Sequence, residues 1–139
     1  MRYLIAVLAL AGVVVSALAL RVHYHTGPEV CSINEKWDCG IVNHSPYAEF
    51  MHIPVAAIGI LGYLALAALA MARKRVLLAI ATLPGLAIAL YLSHIESAIL
   101  QVWCVYCVIS QAIIALLTLL SFAWWLALRW RQKRAQQTV

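Results

Sequence analysis

The chain has 139 residues, of which 65% are hydrophobic and only 11% are charged. Because soluble domains carry about 25% charged residues, this composition excludes an ordinary soluble globular domain. The formal net charge is +5, but the basic residues flank apolar blocks instead of forming one patch, so we expect no nucleic-acid partner.

Four long uncharged blocks predict four membrane-spanning helices. A helix needs about 20 apolar residues to cross the hydrocarbon core, and its backbone groups must bond within the helix because lipid offers them no partner. The predicted spans cover residues 3–20, 53–72, 76–93 and 102–128. The predicted fold class is therefore an all-α membrane protein, a bundle of four transmembrane helices that forms one domain over residues 1–139.

The first span has an alternative interpretation as a secretory signal peptide. A basic residue precedes it, and Ala17-Leu18-Ala19 is typical of a cleavage site. Its apolar run is longer than the core of a usual signal peptide, which favours a retained helix. The following loop lies outside the cytoplasm in either case.

Charge predicts the orientation of the bundle. Eight of the ten Lys and Arg residues lie before the first span, between the second and third, or after the fourth, whereas all five acidic residues lie in the other two connections. Positive charge in short loops resists translocation across the membrane. We therefore expect both termini and the middle loop in the cytoplasm.

The first connection, residues 21–52, is the largest segment outside the predicted spans and is too small to hold a core of its own. Ser45 and Pro46 suit the cap and the first position of a helix. We predict a short interfacial helix over residues 47–51 that runs into the second span, and a simple linker is the alternative.

All four cysteines lie on the side predicted to be outside. Cys31 and Cys39 lie in the first connection, and Cys104 and Cys107 lie at the start of the fourth span. In an oxidising compartment, an even number of cysteines indicates disulfides. Residues i and i+3 share a helix face, and a helix N-terminus favours the thiolate of Cys104, which is the attacking species in disulfide exchange.

These features predict a membrane thiol–disulfide oxidoreductase, with two alternatives open. One is a membrane scaffold that two disulfides stabilise without turnover. The other is a zinc-binding membrane protein with four thiolate ligands, although the wide spacing of the loop pair does not favour zinc.

Four ordered segments resemble the vitamin K epoxide reductase family in its short bacterial form. They are residues 31–40, 43–50, 53–63 and Trp103-Cys104-Val105-Tyr106-Cys107. The resemblance extends from the first span to the fourth. In the other four-helix bacterial quinone reductase the CxxC pair comes first, whereas here the wide pair comes first.

The resemblance implies a quinone, ubiquinone or menaquinone, as the electron acceptor and no metal cofactor. Cys104 and Cys107 would form the disulfide beside the quinone, with Cys107 nearer the ring, and Cys31 and Cys39 would be the shuttle pair. The expected partner is a periplasmic thioredoxin-fold disulfide oxidase, separate from this chain. The expected location is the lipid bilayer of a bacterial inner (cytoplasmic) membrane, with the cysteines on the periplasmic side, and the expected output is disulfide bond formation.

A quinone pocket is predicted between the outer halves of the second and fourth spans. Its predicted residues are Gln111, Ser110, Val55, Gly59 and Tyr63. Gln111 lies one helical turn after Cys107 and could donate to a quinone carbonyl, or it could bond to a neighbouring helix instead. Vertebrate members have Tyr where Gln111 stands and Asn where the stretch around Val55 is apolar, so a quinone rather than an epoxide is the expected oxidant.

Overall fold

A computed structural model of the protein describes residues 1–28 and 30–138. Five α-helices, two short strands and two irregular helical turns follow one another along the described chain. In order they are α1 (Arg2–Tyr24), α2 (Cys39–Asn43), a 3-10 turn (Pro46–Ala48), β1 (Glu49–Phe50), β2 (Ile53–Pro54), α3 (Val55–Met71), α4 (Arg75–Ile95), a π-helical turn (Glu96–Leu100) and α5 (Val105–Gln137).

The four long helices α1, α3, α4 and α5 correspond to the four predicted spans. Within the described residues, three helical segments are long and apolar enough to cross a membrane, namely Arg2–Tyr24, Arg75–Leu100 and Val105–Gln137. The fourth, α3, is apolar but has 17 residues. It starts two residues later than predicted, because Ile53 and Pro54 form strand β2.

The long helices pack side by side around one apolar core. α1 packs against α3 and α5, and α4 packs against α5 and α3. The buried side chains come from all four helices: Ile5, Ala9, Tyr63, Leu66, Leu78, Ile113, Ile114 and Leu117. Many large apolar side chains face outward, among them Val7, Leu61 and Leu119. This is the surface expected of helices whose solvent is lipid.

The prediction of an interfacial helix over residues 47–51 is wrong. Helical structure ends at Ala48, and β1 then pairs with β2 in an antiparallel hairpin. Met51 and His52 form its turn with φ of 51° and 66°, the left-handed backbone that two-residue hairpins favour. Ser45 donates its hydroxyl to the carbonyl of Val42 at 2.7 Å instead of capping a helix.

The helix ends also differ from the predicted boundaries. α1 extends to Tyr24 and α5 to Gln137, beyond the uncharged blocks. α5 starts at Val105, so Cys104 has an extended backbone and lies just before the membrane-spanning helix. The preceding π-helical turn ends at Leu100, because the next residue, Gln101, has a left-handed φ of 54° that breaks the helix.

Candidate redox site

The loop pair is closed in the structure. Cys31 and Cys39 form a disulfide with their Cα atoms 5.8 Å apart. Cys39 is the first residue of α2, and the Asp38 side chain caps this helix by accepting the N–H groups of Gly40 at 2.8 Å and Ile41 at 3.2 Å. Satisfying those end groups fixes the direction of the short helix and therefore the position of Cys39.

The inner pair consists of free thiols at the start of α5. Cys104 is fully buried and Cys107 is half-buried. The loop docks on this helix start through main-chain hydrogen bonds: Trp103 donates to the carbonyl of Lys36 at 2.8 Å, and Asp38 donates to the carbonyl of Trp103 at 3.1 Å.

This docking brings the two cysteine pairs into one buried cluster. Cys31, Cys39 and Cys104 pack together with Val22 and Val42, and Cys107 packs against them. The sequence predicted that the pairs would share one side of the bundle, and the structure brings all four cysteines together there.

Asn43 connects the two pairs directly. Its buried side-chain amide donates to the carbonyl of Cys39 at 2.8 Å and to the sulfur of Cys104 at 3.5 Å. His23 at the end of α1 holds Asn43 in turn, because its Nδ1 donates to the Asn43 carbonyl at 2.6 Å. The Nε2 of the same ring lies 3.3 Å from the carboxylate of Glu49.

The surroundings of Cys104 favour its thiolate form. A side-chain hydrogen bond from Cys107 lowers the pKa of Cys104, assisted by the main-chain N–H of Cys107 and the Asn43 amide. These effects outweigh burial and the nearby charge of Glu96, which act in the opposite direction. The position of Cys104 at a helix start also predicted a lowered pKa. The largest cause in the structure, however, is the hydrogen bond with Cys107, the second cysteine of the motif.

A cavity of about 360 Å³ opens between the long helices beside Cys107. Four of the five predicted pocket residues line it: Val55, Gly59, Tyr63 and Ser110. The Tyr63 hydroxyl donates to the carbonyl of Ser110 at 2.8 Å and lies 2.8 Å from the Ser110 hydroxyl. The remaining wall is mostly apolar, with His23 and Asn43 at its polar end.

The structure does not support the prediction for Gln111. Gln111 is not among the cavity residues, and its side-chain oxygen accepts a hydrogen bond from the Ser93 hydroxyl of α4. Viewed along the axis of α5, Ser110 and Gln111, the third and fourth residues after Cys107, lie on opposite sides of Cys107. Ser110 therefore faces the cavity, while Gln111 bonds to a neighbouring helix, as the alternative interpretation proposed.

Metal binding has little support from the arrangement of side chains. Within residues 1–28 and 30–138, no group of three or more His, Cys, Asp or Glu side chains is placed to hold a metal ion. A site of four thiolates would also need Cys31 and Cys39 in their reduced form, and they are joined in a disulfide.

Three residues of the site were missed by sequence reasoning. Asn43 and Glu96 are buried beside Cys104, and Asp38 caps α2. Of these three, only Asp38 could have been predicted from the sequence, because Asp is a common capping residue directly before a helix. Asn43 lies in the first connection, far from the CxxC motif in the sequence, and Glu96 lies eight residues before Cys104. Sequence spacing therefore could not indicate that either side chain contacts Cys104.

The fold and the site together define a helical membrane protein that carries two adjoining cysteine pairs, one a disulfide and one a dithiol. Its sequence matches the vitamin K epoxide reductase family over residues 3–122. This match covers most of the 139-residue chain, and the protein belongs to that family. A comparison with curated proteins finds no similar sequence. Membership of the family supports a redox enzyme that acts on thiols and disulfides in a membrane.

Proposed function

We propose that the protein oxidises a thioredoxin-fold dithiol protein and passes the electrons through its two cysteine pairs to a membrane quinone. One observation carries the proposal. The closed Cys31–Cys39 disulfide packs against the reduced Cys104 and Cys107, and Cys107 lies on the wall of a cavity among the long helices.

Electrons enter through the loop pair. Cys31 is 7% exposed, whereas Cys39 is fully buried against Cys104. A thiolate of the partner attacks Cys31, and a second partner thiol then resolves the mixed disulfide. The partner leaves with a disulfide, and Cys31 and Cys39 become thiols.

The loop pair then exchanges with the CxxC pair. The Cys39 thiolate attacks Cys104, so the Cys39–Cys104 bond forms and the Cys104–Cys107 bond breaks. Cys31 next attacks Cys39, which restores the loop disulfide and releases Cys104. The product has a closed loop pair and an open inner pair, and this is the state that the structure holds.

The residues around the cavity fit the ring of a lipid-soluble quinone. The volume of about 360 Å³ lies in the usual range for small-molecule sites, and the wall combines apolar side chains with a few polar groups. Tyr63, Ser110 and His23 are the groups that would hold the ring beside Cys107. A bound quinone would supply a two-electron acceptor beside Cys107, which would allow Cys104 and Cys107 to return to the disulfide form.

The orientation of the protein follows from its charges. In the sequence, the two connections on the cysteine side hold all five acidic residues, whereas the middle connection holds Arg73, Lys74 and Arg75 and the C-terminal segment is basic. Under the rule that positive loops stay in the cytoplasm, the cysteines face the periplasm of a bacterial inner membrane. There a thioredoxin-fold oxidase that needs reoxidation is the fitting electron donor, and the net output is disulfide bond formation.

The test is dithiol oxidation by the purified full-length protein in lipid, with and without added ubiquinone or menaquinone. Wild type should oxidise a reduced thioredoxin-fold protein only when quinone is present, and Cys104→Ser and Cys107→Ser should each abolish this turnover. Val30→Ala, at an exposed loop position next to Cys31, serves as the control. Near-wild-type turnover in either cysteine variant rules out the relay, and two disulfides that stay closed without quinone indicate a scaffold.

A further inference from the structure

Glu96 is a carboxyl group in the interior of the protein. Its side chain is only 2% exposed, and it lies in the π-helical turn between α4 and α5. The described part of the chain contains no Lys, Arg or His side chain in an ion pair with it. Burying an unpaired acid is costly, so an acid in such a position calls for a functional explanation.

The carboxyl group faces the CxxC motif. Its Oε2 accepts the main-chain N–H of Cys104 at 3.3 Å, and the carboxyl also interacts with the Cys107 thiol. Its Oε1 makes no hydrogen bond within the residues that the structure describes. The π-helical turn creates this placement, because such turns insert an extra residue and redirect side chains, often at functional sites.

We propose that Glu96 is the proton donor and acceptor for Cys107 during exchange between the loop pair and the CxxC pair. The proposal rests on the function proposed above. In the oxidised protein Glu96 is a neutral acid beside the Cys104–Cys107 disulfide. The Cys39 thiolate attacks Cys104, the Cys104–Cys107 bond breaks, and the departing Cys107 sulfur takes the proton of Glu96.

The step balances without a further reactant. The bonds that form are Cys39–Cys104 and the S–H bond of Cys107, and the bonds that break are Cys104–Cys107 and the O–H bond of Glu96. The negative charge of the Cys39 thiolate ends on the Glu96 carboxylate. When Cys107 is next oxidised, its proton returns to the carboxylate.

The surroundings of Cys107 leave Glu96 as the group suited to this transfer. The two sulfur atoms that react first, Cys39 and Cys104, are fully buried away from water, and Cys107 is half-buried on the wall of the mostly apolar cavity. Of the groups that face the carboxyl, Cys104 is itself the attacked sulfur and Cys107 is the leaving group. Asn43 is a neutral amide, and the Tyr63 hydroxyl already donates to the Ser110 carbonyl.

Stopped exchange in the absence of quinone tests the proposal. Full-length protein with both pairs oxidised and quinone removed is mixed with dithiothreitol, quenched, alkylated and mapped, so that the thiols of Cys31 and Cys107 are followed separately. In Cys39→Ser, no Cys39 thiolate can attack Cys104, so this variant measures the rate at which dithiothreitol reduces the Cys104–Cys107 disulfide directly. That rate is subtracted from the wild-type rate. Wild type should give a bell-shaped pH profile for the appearance of the Cys107 thiol. The rate rises as Cys39 forms its thiolate and falls as Glu96 loses its proton.

Glu96→Gln keeps the size and an acceptor oxygen but has no proton to transfer. We expect the Cys107 thiol to appear about 10²-fold more slowly, in line with the contribution of general acids, and the falling limb of the profile to disappear. Glu96→Asp should keep both limbs with the falling limb displaced. Reduction of the loop pair should proceed at the wild-type rate in both variants.

Two results overturn the proposal. One is a wild-type rate in Glu96→Gln, and the other is a uniform slowing with the bell-shaped profile unchanged, which marks a structural role only. If Glu96→Gln does not fold, an unmoved falling limb in Glu96→Asp overturns it as well. A wild-type protein whose loop pair is reduced while Cys107 never becomes a thiol disproves the relay itself, and the proposal with it.

Discussion

Asn43 touches both cysteine pairs, through the carbonyl of Cys39 and the sulfur of Cys104. An amide donor stabilises a thiolate more than a thiol, because the charged sulfur is the stronger acceptor. Asn43 therefore stabilises the thiolate of Cys104, and through the Cys39 carbonyl it also helps to hold the loop in place. Its own main-chain carbonyl is held by His23, so the end of α1 takes part in this arrangement.

At the residue scale we predict that Asn43→Ala raises the pKa of Cys104. Since the pKa of Cys104 is lowered in the wild type, its thiolate persists to lower pH than that of an ordinary cysteine and is lost as pH falls through that value. Without the Asn43 amide, this loss should begin at higher pH. The measurement is the ultraviolet absorbance of the thiolate in protein whose loop pair is oxidised.

Ile41→Ala is the matched control, because Ile41 lies in the same short helix with its side chain half exposed. The control should titrate as the wild type does. A titration curve that is the same in Asn43→Ala and wild type would show that the amide does not act on the sulfur.

At the same scale, the sequence identified the chemistry of the site but not its supporting residues. Two cysteine pairs on one side of four apolar blocks predicted the redox site, and the structure brings them together. The contacts of Asn43 and Glu96 depend on how the loop and the π-helical turn fold back on α5, which no local pattern encodes. Gln111 was predicted from its spacing after Cys107 and from the family resemblance at that position. A shift of one residue around the helix places its side chain against α4 instead of in the cavity.

Among the helices, the contact of α1 with α3 supports the cavity wall. At Gly12 in α1, an added Cβ would lie 2.5 Å from ring carbons of Tyr63. Glycine thus lets the ring of Tyr63 pack directly against the backbone of α1, in the way that small residues allow close helix packing in membranes. The same ring carries the hydroxyl that bonds to Ser110 in α5.

We predict that Gly12→Ala destabilises the protein. The added methyl group forces the Tyr63 ring to move, and overpacking of this kind costs about 1–3 kcal/mol. The measurement is thermal unfolding in lipid or detergent, with the midpoint expected to fall.

Gly62→Ala is the matched control, because a Cβ at Gly62 meets no atom within 4 Å. Its midpoint should stay the same or rise slightly, since Ala is the better helix former. Equal midpoints for the Gly12 and Gly62 variants would contradict the close packing of α1 against Tyr63.

The elements themselves were predicted unevenly, for physical reasons. Long uncharged blocks predicted the four long helices, because lipid leaves the backbone no alternative to internal hydrogen bonds. The segment outside the spans has no such constraint. There the hairpin of β1 and β2 and the short helix α2 arise from a two-residue turn and from the Asp38 cap, and both were missed.

Across the whole molecule, the two ends of the bundle have different chemistry. One end holds the four cysteines and the docked loop. At the other, Arg75 at the start of α4 stacks over the Trp124 ring at 4.8 Å, and Arg129 stacks over Trp125 at 4.4 Å. Aromatic and basic side chains together are typical of a membrane boundary, so this end suits the boundary between lipid and water.

The account depends most directly on a transient disulfide between Cys39 and Cys104. In Cys107→Ser, the Cys104 thiolate should attack Cys39 within the loop disulfide and release Cys31 as a thiol. No thiol is left at position 107 to attack Cys104. An alkylating agent present from the start caps Cys31 before it can attack Cys39 again, so the Cys39–Cys104 bond should accumulate.

Alkylation followed by peptide mapping of purified Cys107→Ser is the decisive measurement. The account predicts a peptide pair joined through Cys39 and Cys104, with Cys31 alkylated. A bond between Cys31 and Cys104 would exchange the roles of the two loop cysteines. A loop pair that stays closed while Cys104 is alkylated would contradict the relay.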